Sequence, residues 1–460
     1  MPRTVAFGAI LCAQLFASTA VRTSTGLVEG LPASNPSVTV YRGIPFAAPP
    51  VGDLRWRAPQ PAAPWKGVLK ADHFSPACIQ DLPRSAGPWT EEYMHQGTVS
   101  EDCLYLNIWT APKGGPHPVM LWIYGGGFKS GSSAVALYDG EALARKGVVV
   151  VTINYRVGTL GFLAHPELTK ESETHSSGNY GMLDQIAALE WVRTNIAAFG
   201  GDPARVTIAG QSAGAMSVMA LIASPLAKGL FHQAIVQSGN LEGSLSLAEA
   251  ESEGAKLMGA KGVQTLQEMR AMPIAKLTAP VPGIPPTASP VMDRWLLPDT
   301  VAAIFTHGGQ NDVATLTGWT ADEGSAGTSY SRASESQKEH WREERLLSTY
   351  AWAERRALTS KTPVYTYFWN HAPPGPNKHF YGAFHSSEIP YMFNSLGTAN
   401  RPWEPIDREI AEKISSYWAN FIRTGDPNGP GLPHWQAFDA RSPTTMELGD
   451  KFQPYPLKPH

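Results

Sequence analysis

The residues RVTIAGQSAG at 205–214 combine the patterns of a strand, a tight turn and the start of a helix. Its first five residues, RVTIA, have the pattern of a strand, and residues 213–222 are small and compatible with a helix. Gly210 and Gly214 remove side chains that would collide in a tight turn around Ser212. A strand, a tight turn and a helix would expose the serine oxygen at a helix N-terminus, which favours developing negative charge. The pentapeptide alone is weak evidence, but this context makes Ser212 a candidate nucleophile.

Further β-rich apolar runs, each followed by turn residues and a helical pattern, recur along the chain. The clearest of them cover residues 119–124, 148–154, 206–210, 234–237, 313–319 and 364–369. An amphipathic stretch lies at 185–199, and apolar residues recur at helical spacing from Ile410 to Ile422, before Gly425. Strands that alternate with helices favour an α/β fold, in which a mostly parallel sheet is covered by helices on both faces.

A glycine-rich loop, YGGGF at 124–128, follows the apolar run at 119–124. Its three consecutive glycines allow the backbone to turn so that N–H groups point into a site. A serine nucleophile needs such donors, because they stabilise the oxygen that becomes negative in a tetrahedral intermediate. The loop precedes Ser212 in the chain, where folds with this kind of turn place their oxyanion loop.

The histidine that would activate the serine is expected late in the chain. In such folds the acid follows the serine and the histidine follows the acid. Eight histidines follow Ser212. His385 is favoured because it comes after the run at 364–369, through a connection rich in Pro and Gly. His371 and His379 are local rivals.

Two carboxylates compete for the role of the acid. Asp322 and Glu323 come directly after the run at 313–319. A carboxylate on a turn at the end of a strand is well placed to orient an imidazole. Spacing alone does not choose between the two residues.

Composition excludes several classes of protein. The chain has 460 residues, of which 43% are hydrophobic, and this content is enough for a large core. Its 37 basic and 40 acidic residues give a net charge of −3, and no basic run stands out. A dedicated nucleic-acid-binding protein is therefore not expected, because phosphate binding needs clustered Lys and Arg.

The first twenty residues have the pattern of a signal peptide. Arg3 supplies a positive charge, residues 5–17 are apolar, and residues 18–20 are small. The apolar run is too short to cross a bilayer, and no later run is long enough. We expect residues 1–20 to be a signal peptide, with a buried N-terminal helix as the alternative. Residues 21–460 would then be a single domain that is secreted or periplasmic.

The cysteine count agrees with export. Cys12 falls within the predicted signal, which leaves Cys78 and Cys103 with 24 residues between them. In an oxidising compartment this pair predicts one disulfide, and two unrelated buried thiols are the alternative. Neither residue lies in a CxxC or Cys/His cluster, so a zinc site is disfavoured.

Further motifs occur in order along the chain: YRGIPFA at 41–47, PPVG at 49–52, EDCLYLN at 101–107, NYRVG at 154–158, GQSAGA at 210–215 and QSG at 237–239. Together with the YGGGF loop they resemble the type-B carboxylesterases of the α/β-hydrolase fold. This group includes cholinesterases and, in particular, the bacterial para-nitrobenzyl esterases. The resemblance runs from Val21 to the C-terminus.

The resemblance implies ester hydrolysis through an acyl-enzyme, without a metal or organic cofactor. It implies Ser212 as nucleophile, Glu323 as acid and His385 as base, with Gly126, Gly127 and Ala213 as oxyanion donors. Glu323 is preferred over Asp322 because the acid of the family is the Glu of its DEG turn. The family also implies a Cys78–Cys103 disulfide, an Arg55–Glu101 ion pair and Ser238 as a support for the acid.

Three departures from the family pattern indicate an open, generalist site. Gln211 precedes the serine where cholinesterases carry a Glu that helps to hold a cationic substrate. Ile284, Pro286 and Ala288 stand where phenylalanines narrow the acyl pocket of a cholinesterase. Only 61 residues separate Glu323 from His385, fewer than is usual in the family. We therefore expect small to medium uncharged esters as substrates.

Two other functions remain to be tested. One keeps the chemistry and changes the substrate to a polyester, lactone, carbamate or aryl drug ester. The other is a non-catalytic interaction protein on the same fold, against which an intact Ser212, Glu323 and His385 argue. The expected partner is a small-molecule ester. The oligomeric state is not determined by the sequence, and a monomer is our expectation.

Overall fold

The computed structural model describes residues 20–111, 114–241, 243–284 and 288–457. Pro286 and all but the last residue of the predicted signal peptide therefore lie outside the described residues. The strands are β1 Ala20–Arg22, β2 Leu27–Glu29, β3 Leu31–Pro32, β4 Thr39–Pro45, β5 Val68–Lys70, β6 Ala77–Cys78, β7 Val99–Ser100, β8 Tyr105–Trp109, β9 His117–Ile123, β10 Val149–Ile153, β11 Gly201–Gln211, β12 Gln233–Gln237, β13 Leu245–Ser246, β14 Val291–Met292, β15 Ala314–Thr320, β16 Val364–Trp369, β17 Thr444–Leu448 and β18 Gln453–Pro456. The α-helices are α1 Glu141–Arg145, α2 Gly158–Phe162, α3 Pro166–Glu171, α4 Tyr180–Asn195, α5 Ala213–Ala223, α6 Leu247–Ala260, α7 Leu266–Ala271, α8 Ile274–Thr278, α9 Val301–Thr306, α10 Thr328–Arg332, α11 Glu335–Thr359, α12 Lys378–Tyr381, α13 Ile389–Met392 and α14 Pro405–Thr424.

A large mixed sheet forms the centre of the molecule. Its eleven strands are ordered β18-β17-β16-β15-β12-β11-β9-β10-β8-β4-β3. The seven strands from β17 to β10 run parallel, whereas β18 at one edge and β8, β4 and β3 at the other pair antiparallel. All five residues of β10 are buried. Continuous burial of this kind requires cover on both faces of the sheet.

Helices pack on both faces of the sheet. The contacts of two neighbouring residues of β12 show which helices lie on each face. Successive side chains of a strand point to opposite faces of the sheet. Gln237 accepts a hydrogen bond from Trp418 of α14 at 3.2 Å. Val236 instead lies beside Met219 of α5 and Trp352 of α11. Helices α5 and α11 therefore cover one face, and α14 covers the other.

Each of the six apolar runs in the sequence forms a strand of this sheet, and these six strands are parallel, as predicted. Helix α14 ends where expected, with Gly425 in the left-handed conformation at φ 77°. Helix α4 begins at Tyr180, five residues before the predicted amphipathic stretch. That stretch ends as a 3₁₀ turn at Ile196–Phe199.

The 25-residue helix α11 was not predicted. It lies in the short connection between Glu323 and His385. Only four of its residues are buried: Thr349, Trp352, Ala353 and Arg356. Its apolar periodicity is therefore weak, because most of the helix faces solvent.

The parallel arrangement brings four loops to one edge of the sheet. The carboxyl ends of parallel strands meet at the same edge, where α/β proteins bind their ligands. The loops after β9, β11, β15 and β16 carry the glycine-rich loop, Ser212, Glu323 and His385. None of the described helices is long and apolar enough to cross a membrane.

Candidate active site

Ser212 occupies a strained turn between β11 and α5. Its backbone has φ 58° and ψ −125°, an unfavourable conformation for a non-glycine residue that costs roughly 1–3 kcal/mol. A Cβ on Gly214 would lie 2.0 Å from the carbonyl oxygen of Ile123, and one on Gly210 would lie 2.4 Å from the carbonyl oxygen of Gly214. The Ser212 N–H donates to the Gln237 carbonyl at 2.9 Å. The surrounding glycines and strand β12 thus hold the serine at the tip of the turn.

The glycine-rich loop folds back on itself beside Ser212. The Gly126 carbonyl accepts hydrogen bonds from the N–H groups of Lys129 and Ser130, at 3.0 and 3.2 Å. Within the described ranges, the N–H groups of Gly126, Gly127 and Ala213 have no hydrogen-bond partner in the protein. Unpaired backbone donors next to a serine are suited to bind a developing oxyanion.

A residue of the disulfide-bonded segment anchors this loop. The Gln80 side chain donates to the Gly131 carbonyl and accepts from the Gly131 N–H, both at 2.7 Å. Cys78 and Cys103, which enclose this segment, form a disulfide. Arg55 and Glu101 form an ion pair at 2.6 Å, which holds the second end of the segment.

Gly126 and Gly127 offer a matched pair of substitutions. Gly126 has φ +114°, and a Cβ there would lie 2.2 Å from the Ser130 carbonyl oxygen. Gly127 has φ +62° and open space around the position of a Cβ. We therefore expect Gly126→Ala to displace the loop and lower kcat by on the order of 100-fold or more, the loss typical of one oxyanion donor. Gly127→Ala should cost much less in kcat for a para-nitrophenyl ester. Equal losses for the two variants would contradict this account of the loop.

His385 and Glu323 form a hydrogen-bonded acid–base pair. The imidazole Nδ1 contacts Glu323 Oε1. The other carboxylate oxygen, Oε2, accepts from Ser238 Oγ at 3.1 Å and from the Thr320 N–H at 3.2 Å. These contacts orient the carboxylate toward the imidazole, and the carboxylate in turn orients the ring.

The charges of the pair stabilise each other. Burial alone would lower the pKa of His385, but the adjacent Glu323 carboxylate outweighs it, and the pKa of the imidazole is raised above its ordinary value. Burial would raise the pKa of Glu323, but the His385 imidazole and the hydrogen-bond donors around the carboxylate lower it overall. Glu323 is therefore ionised in the range in which His385 titrates.

The second imidazole nitrogen faces Gln211. The Gln211 side-chain nitrogen lies 3.0 Å from His385 Nε2. Among the described residues, the Ser212 hydroxyl makes no hydrogen bond to the imidazole, although Ser212, Gln211 and His385 line the same cavity. The indole N–H of Trp89 donates to the His385 carbonyl at 3.0 Å. His385 is thus held by Glu323 at its ring and by Trp89 at its backbone.

The rival residues lie elsewhere. His371 is buried between Asp450, at 2.6 Å from Nδ1, and Asp407, at 2.9 Å from Nε2. His379 is exposed on α12. The Asp322 carboxylate binds the Ala383 N–H at 2.8 Å and does not contact His385. Of the candidates weighed, only His385 and Glu323 form a pair beside Ser212.

A cavity of about 480 Å³ opens in front of Ser212. One wall is the segment enclosed by the disulfide, and the other includes the glycine-rich loop and the start of α13. The larger apolar side chains in its lining are Leu82, Trp89, Tyr93, Met94, Val135, Tyr138 and Ile389. Its lining residues include one carboxylate, Asp81, and neither Lys nor Arg. The cavity is therefore mostly apolar and carries no fixed positive charge.

Sequence reasoning missed several residues of the site. Gln80 and the Gln211–His385 contact have no local signal, because each depends on segments that meet only in the folded chain. Thr320 was missed although it stands only three residues before Glu323. Glu388 was missed as well, although it stands only three residues after His385. Its side chain is 1% exposed. One oxygen accepts from Gln237 at 3.1 Å, and the other is buried without a partner among the described residues.

Burial and, secondarily, the charge of Glu323 raise the pKa of Glu388 to about 7. A raised pKa means that the folded state holds this proton more tightly than the unfolded state, so the wild type loses stability as the pH rises from 4.5 to about 7. Glu388→Gln does not titrate. We expect its free energy of unfolding, relative to wild type, to rise by on the order of 3 kcal/mol between pH 4.5 and pH 7.5.

Urea unfolding at the two pH values measures this difference. Glu335→Gln, at a side chain that is 80% exposed, serves as the control and should show no such change. A Glu388→Gln difference that does not vary with pH would contradict the assignment of a buried proton to Glu388.

The fold and site geometry define a member of the carboxylesterase family, whose family model matches residues 17–351 and 346–458. The chain belongs to this family, has the α/β-hydrolase fold and is a carboxylic ester hydrolase. It is 37% identical to fumonisin B1 esterase of Sphingopyxis macrogoltabida over 91% of this chain and 84% of that protein. It is 33% identical to para-nitrobenzyl esterase of Bacillus subtilis (strain 168), over 93% and 94% of the two chains. A solved structure of a PNB esterase superposes with a TM-score of 0.82 at 30% identity, covering 96% of this chain and 97% of that one.

Proposed function

We propose that the protein hydrolyses small to medium uncharged carboxylic esters through an acyl-enzyme on Ser212. The observation that carries the proposal is the convergence of three features on one cavity. These are Ser212 on a strained turn, the His385–Glu323 pair, and the unpaired N–H groups of the glycine-rich loop. A nucleophilic serine, an imidazole oriented by a carboxylate and backbone donors for the oxyanion are the groups that serine acyl transfer requires.

In the first half-reaction, Ser212 Oγ attacks the ester carbonyl carbon and His385 Nε2 accepts the hydroxyl proton. For this step the serine hydroxyl replaces the Gln211 side chain at Nε2. The carbonyl oxygen becomes negative and is bound by the N–H groups of Gly126, Gly127 and Ala213. When the tetrahedral intermediate collapses, the alcohol leaves with the proton from His385.

In the second half-reaction, a water molecule gives its proton to His385 and attacks the acyl carbon. The tetrahedral intermediate collapses, the Ser212 oxygen recovers the proton and the carboxylic acid is released. Glu323 remains ionised throughout and stabilises the imidazolium that forms in each half-reaction.

The lining of the cavity supports the substrate class. Its volume of about 480 Å³ falls in the range of pockets for small organic ligands. Neutral ester groups suit its apolar walls, whereas an anionic acyl chain would meet Asp81 and find no Lys or Arg among the lining residues. Gln211 adds no negative charge beside the imidazole, so nothing at that position attracts a cation.

A para-nitrophenyl ester series from acetate to palmitate tests the proposal, with wild type and Ser212→Ala side by side. We expect Ser212-dependent hydrolysis that is fastest for short chains. A carboxylate-bearing substrate, the mono-para-nitrophenyl ester of succinic acid, should be hydrolysed more slowly than the uncharged butyrate of equal length. A maximum at palmitate, or faster hydrolysis of the succinate, would contradict the proposed substrate class. Activity confined to lactones, carbamates, polyesters or aryl drug esters would point to a specialised enzyme.

We further propose that residues 21–460 form one hydrolase domain, that residues 1–20 are a signal peptide, and that the mature protein is an exported monomer. The basic start, apolar stretch and small residues of this segment support export, and so does the Cys78–Cys103 disulfide. The protein recovered from an exporting host should begin near Val21 and elute as a single chain. A retained Met1 would contradict the signal peptide.

A further inference from the structure

Two adjacent carboxylates on the turn after β15 face different partners. Glu323 binds the imidazole of His385. Asp322 binds the backbone just before that histidine: its Oδ2 accepts from the Ala383 N–H at 2.8 Å, and its own N–H donates to the Ala383 carbonyl at 3.0 Å. A parallel bridge also pairs Asp322 with Phe384. The turn that carries the acid is therefore bonded directly to the segment that carries the base.

Gly382 permits this close approach. It has φ +56°, and a Cβ at this position would lie 2.0 Å from Asp322 Oδ2. A side chain there would displace either the carboxylate or the backbone. The segment that leads into His385 is thus fitted closely around the Asp322 carboxylate.

The other oxygen of Asp322 is held by the connection between the acid and the base. Arg342 of α11 donates to Oδ1 from Nη2 at 2.6 Å, and the Tyr330 hydroxyl of α10 donates to the same oxygen. Arg342 also donates from Nε to the Ala321 carbonyl at 3.3 Å. The Asp322 side chain is only 14% exposed. Its carboxylate therefore has fixed partners on both oxygens, one from an arginine.

We propose that Asp322 is a positioning residue for the acid–base pair, and that α10 and α11 hold it in place. This inference rests on the proposed function, because it assigns His385 and Glu323 their roles there. Ala383 stands two residues before His385, and Glu323 is the neighbour of Asp322 in the chain. Loss of the Asp322 contacts would therefore change the distance between the His385 ring and the Glu323 carboxylate. Misplacement of a catalytic group by about 1 Å can cost on the order of 100-fold in rate.

The pH profile separates positioning from general stability. The charged groups that act on the His385 imidazole are Glu323, Glu388 and Arg345. Burial alone would lower the pKa of His385, and Glu323 makes the largest contribution that raises it. If Asp322 keeps Glu323 next to the imidazole, its removal lowers the pKa of His385. The acidic limb of the kcat–pH profile then moves to lower pH.

The test compares Asp322→Ala with Asp202→Ala as a matched control. Asp202 likewise accepts from a backbone N–H, that of Ala204 at 2.9 Å, and from an arginine, Arg205 at 2.7 Å. It lies at the start of β11, whereas Ser212 follows the end of that strand. With para-nitrophenyl acetate, we expect Asp322→Ala to lower kcat by about 10- to 100-fold, with KM little changed and the acidic limb moved to lower pH. Asp202→Ala should resemble wild type.

Variants at the two helices extend the test. Tyr330→Phe and Arg342→Met each remove one donor to Oδ1, and should lower kcat less than Asp322→Ala while shifting the limb in the same direction. If Asp322→Ala does not fold, the Tyr330→Phe, Arg342→Met double variant replaces it in the test. We expect that double variant to have a lower kcat and an acidic limb at lower pH. A kcat and pH profile equal to those of the Asp202→Ala control would overturn the proposal. So would a loss of kcat with an unmoved acidic limb, because a general loosening of the structure gives that result.

Parallel assays of Ser212→Ala and Glu323→Gln separate this inference from the proposed function. If those two variants retain activity, the proposed function fails. If they lose activity while Asp322→Ala behaves as the control, only the role of Asp322 fails.

Discussion

Ser212→Ala is expected to abolish ester hydrolysis, with a fall in kcat on the order of 10⁶-fold, the loss found when the serine of a catalytic triad is removed. The variant loses the oxygen that bonds to the acyl carbon, so no covalent intermediate forms. Within the described residues, the Ser212 side chain makes no hydrogen bond, whereas its backbone N–H bonds to Gln237. The substitution therefore removes no hydrogen bond seen among the described residues, and the thermal unfolding temperature should stay close to that of wild type.

The measurement is hydrolysis of para-nitrophenyl acetate together with thermal unfolding by circular dichroism. Ser37→Ala, at an exposed serine, is the control and should behave as wild type in both assays. A folded Ser212→Ala protein that retains a tenth of the wild-type kcat would show that another group carries out the chemistry.

Glu323→Gln is expected to lower kcat by on the order of 10⁴-fold. The glutamine keeps the shape of the side chain but can turn its NH₂ group toward His385 Nδ1. The imidazole proton then moves to Nε2, and that nitrogen can no longer accept the serine proton. The contacts with Ser238 and Thr320 hold this side chain in place, so the variant has little freedom to find another arrangement.

The residual activity should also have a different pH profile. In the wild type, the acidic limb of kcat/KM should lie above the ordinary pKa of histidine, because the Glu323 carboxylate outweighs the effect of burial on His385. Without that negative charge, the limb moves to lower pH. Asp322→Asn, measured alongside, should cost far less in kcat. A mild loss in Glu323→Gln with a severe loss in Asp322→Asn would make Asp322 the acid.

The parts of the fold that the sequence predicted are those with a periodic signal. The apolar runs at 119–124, 148–154, 206–210, 234–237, 313–319 and 364–369 are buried on both faces, so they consist mainly of apolar residues with some Thr and contain no charged residue. The turn at Ser212 was predictable because its two glycines are required by backbone contacts of 2.0 and 2.4 Å. Burial on both faces and close backbone contacts restrict which residues can stand at a position, and this restriction can be recognised in the local sequence.

The parts that could not be predicted depend on contacts between distant segments. Helix α11 is mostly exposed, and its arginine at position 342 reaches the turn after β15, 20 residues earlier in the chain. The Trp89–His385 hydrogen bond joins residues that are 296 positions apart. Glu323 was preferred over Asp322 as the acid because of the family resemblance. The two neighbouring carboxylates differ in their partners: Glu323 contacts the His385 ring, and Asp322 contacts the Ala383 backbone. No local pattern encodes that difference.

A covalent acyl-enzyme on Ser212 would be detected directly by mass spectrometry. Wild-type protein would be quenched in acid during turnover of a para-nitrophenyl ester, and the intact protein and its peptides weighed, with Ser212→Ala treated in the same way. We expect one acyl group per chain, on the peptide that contains Ser212, and no acylation of the variant. An acyl group on another residue, or an equally acylated Ser212→Ala protein, would contradict it.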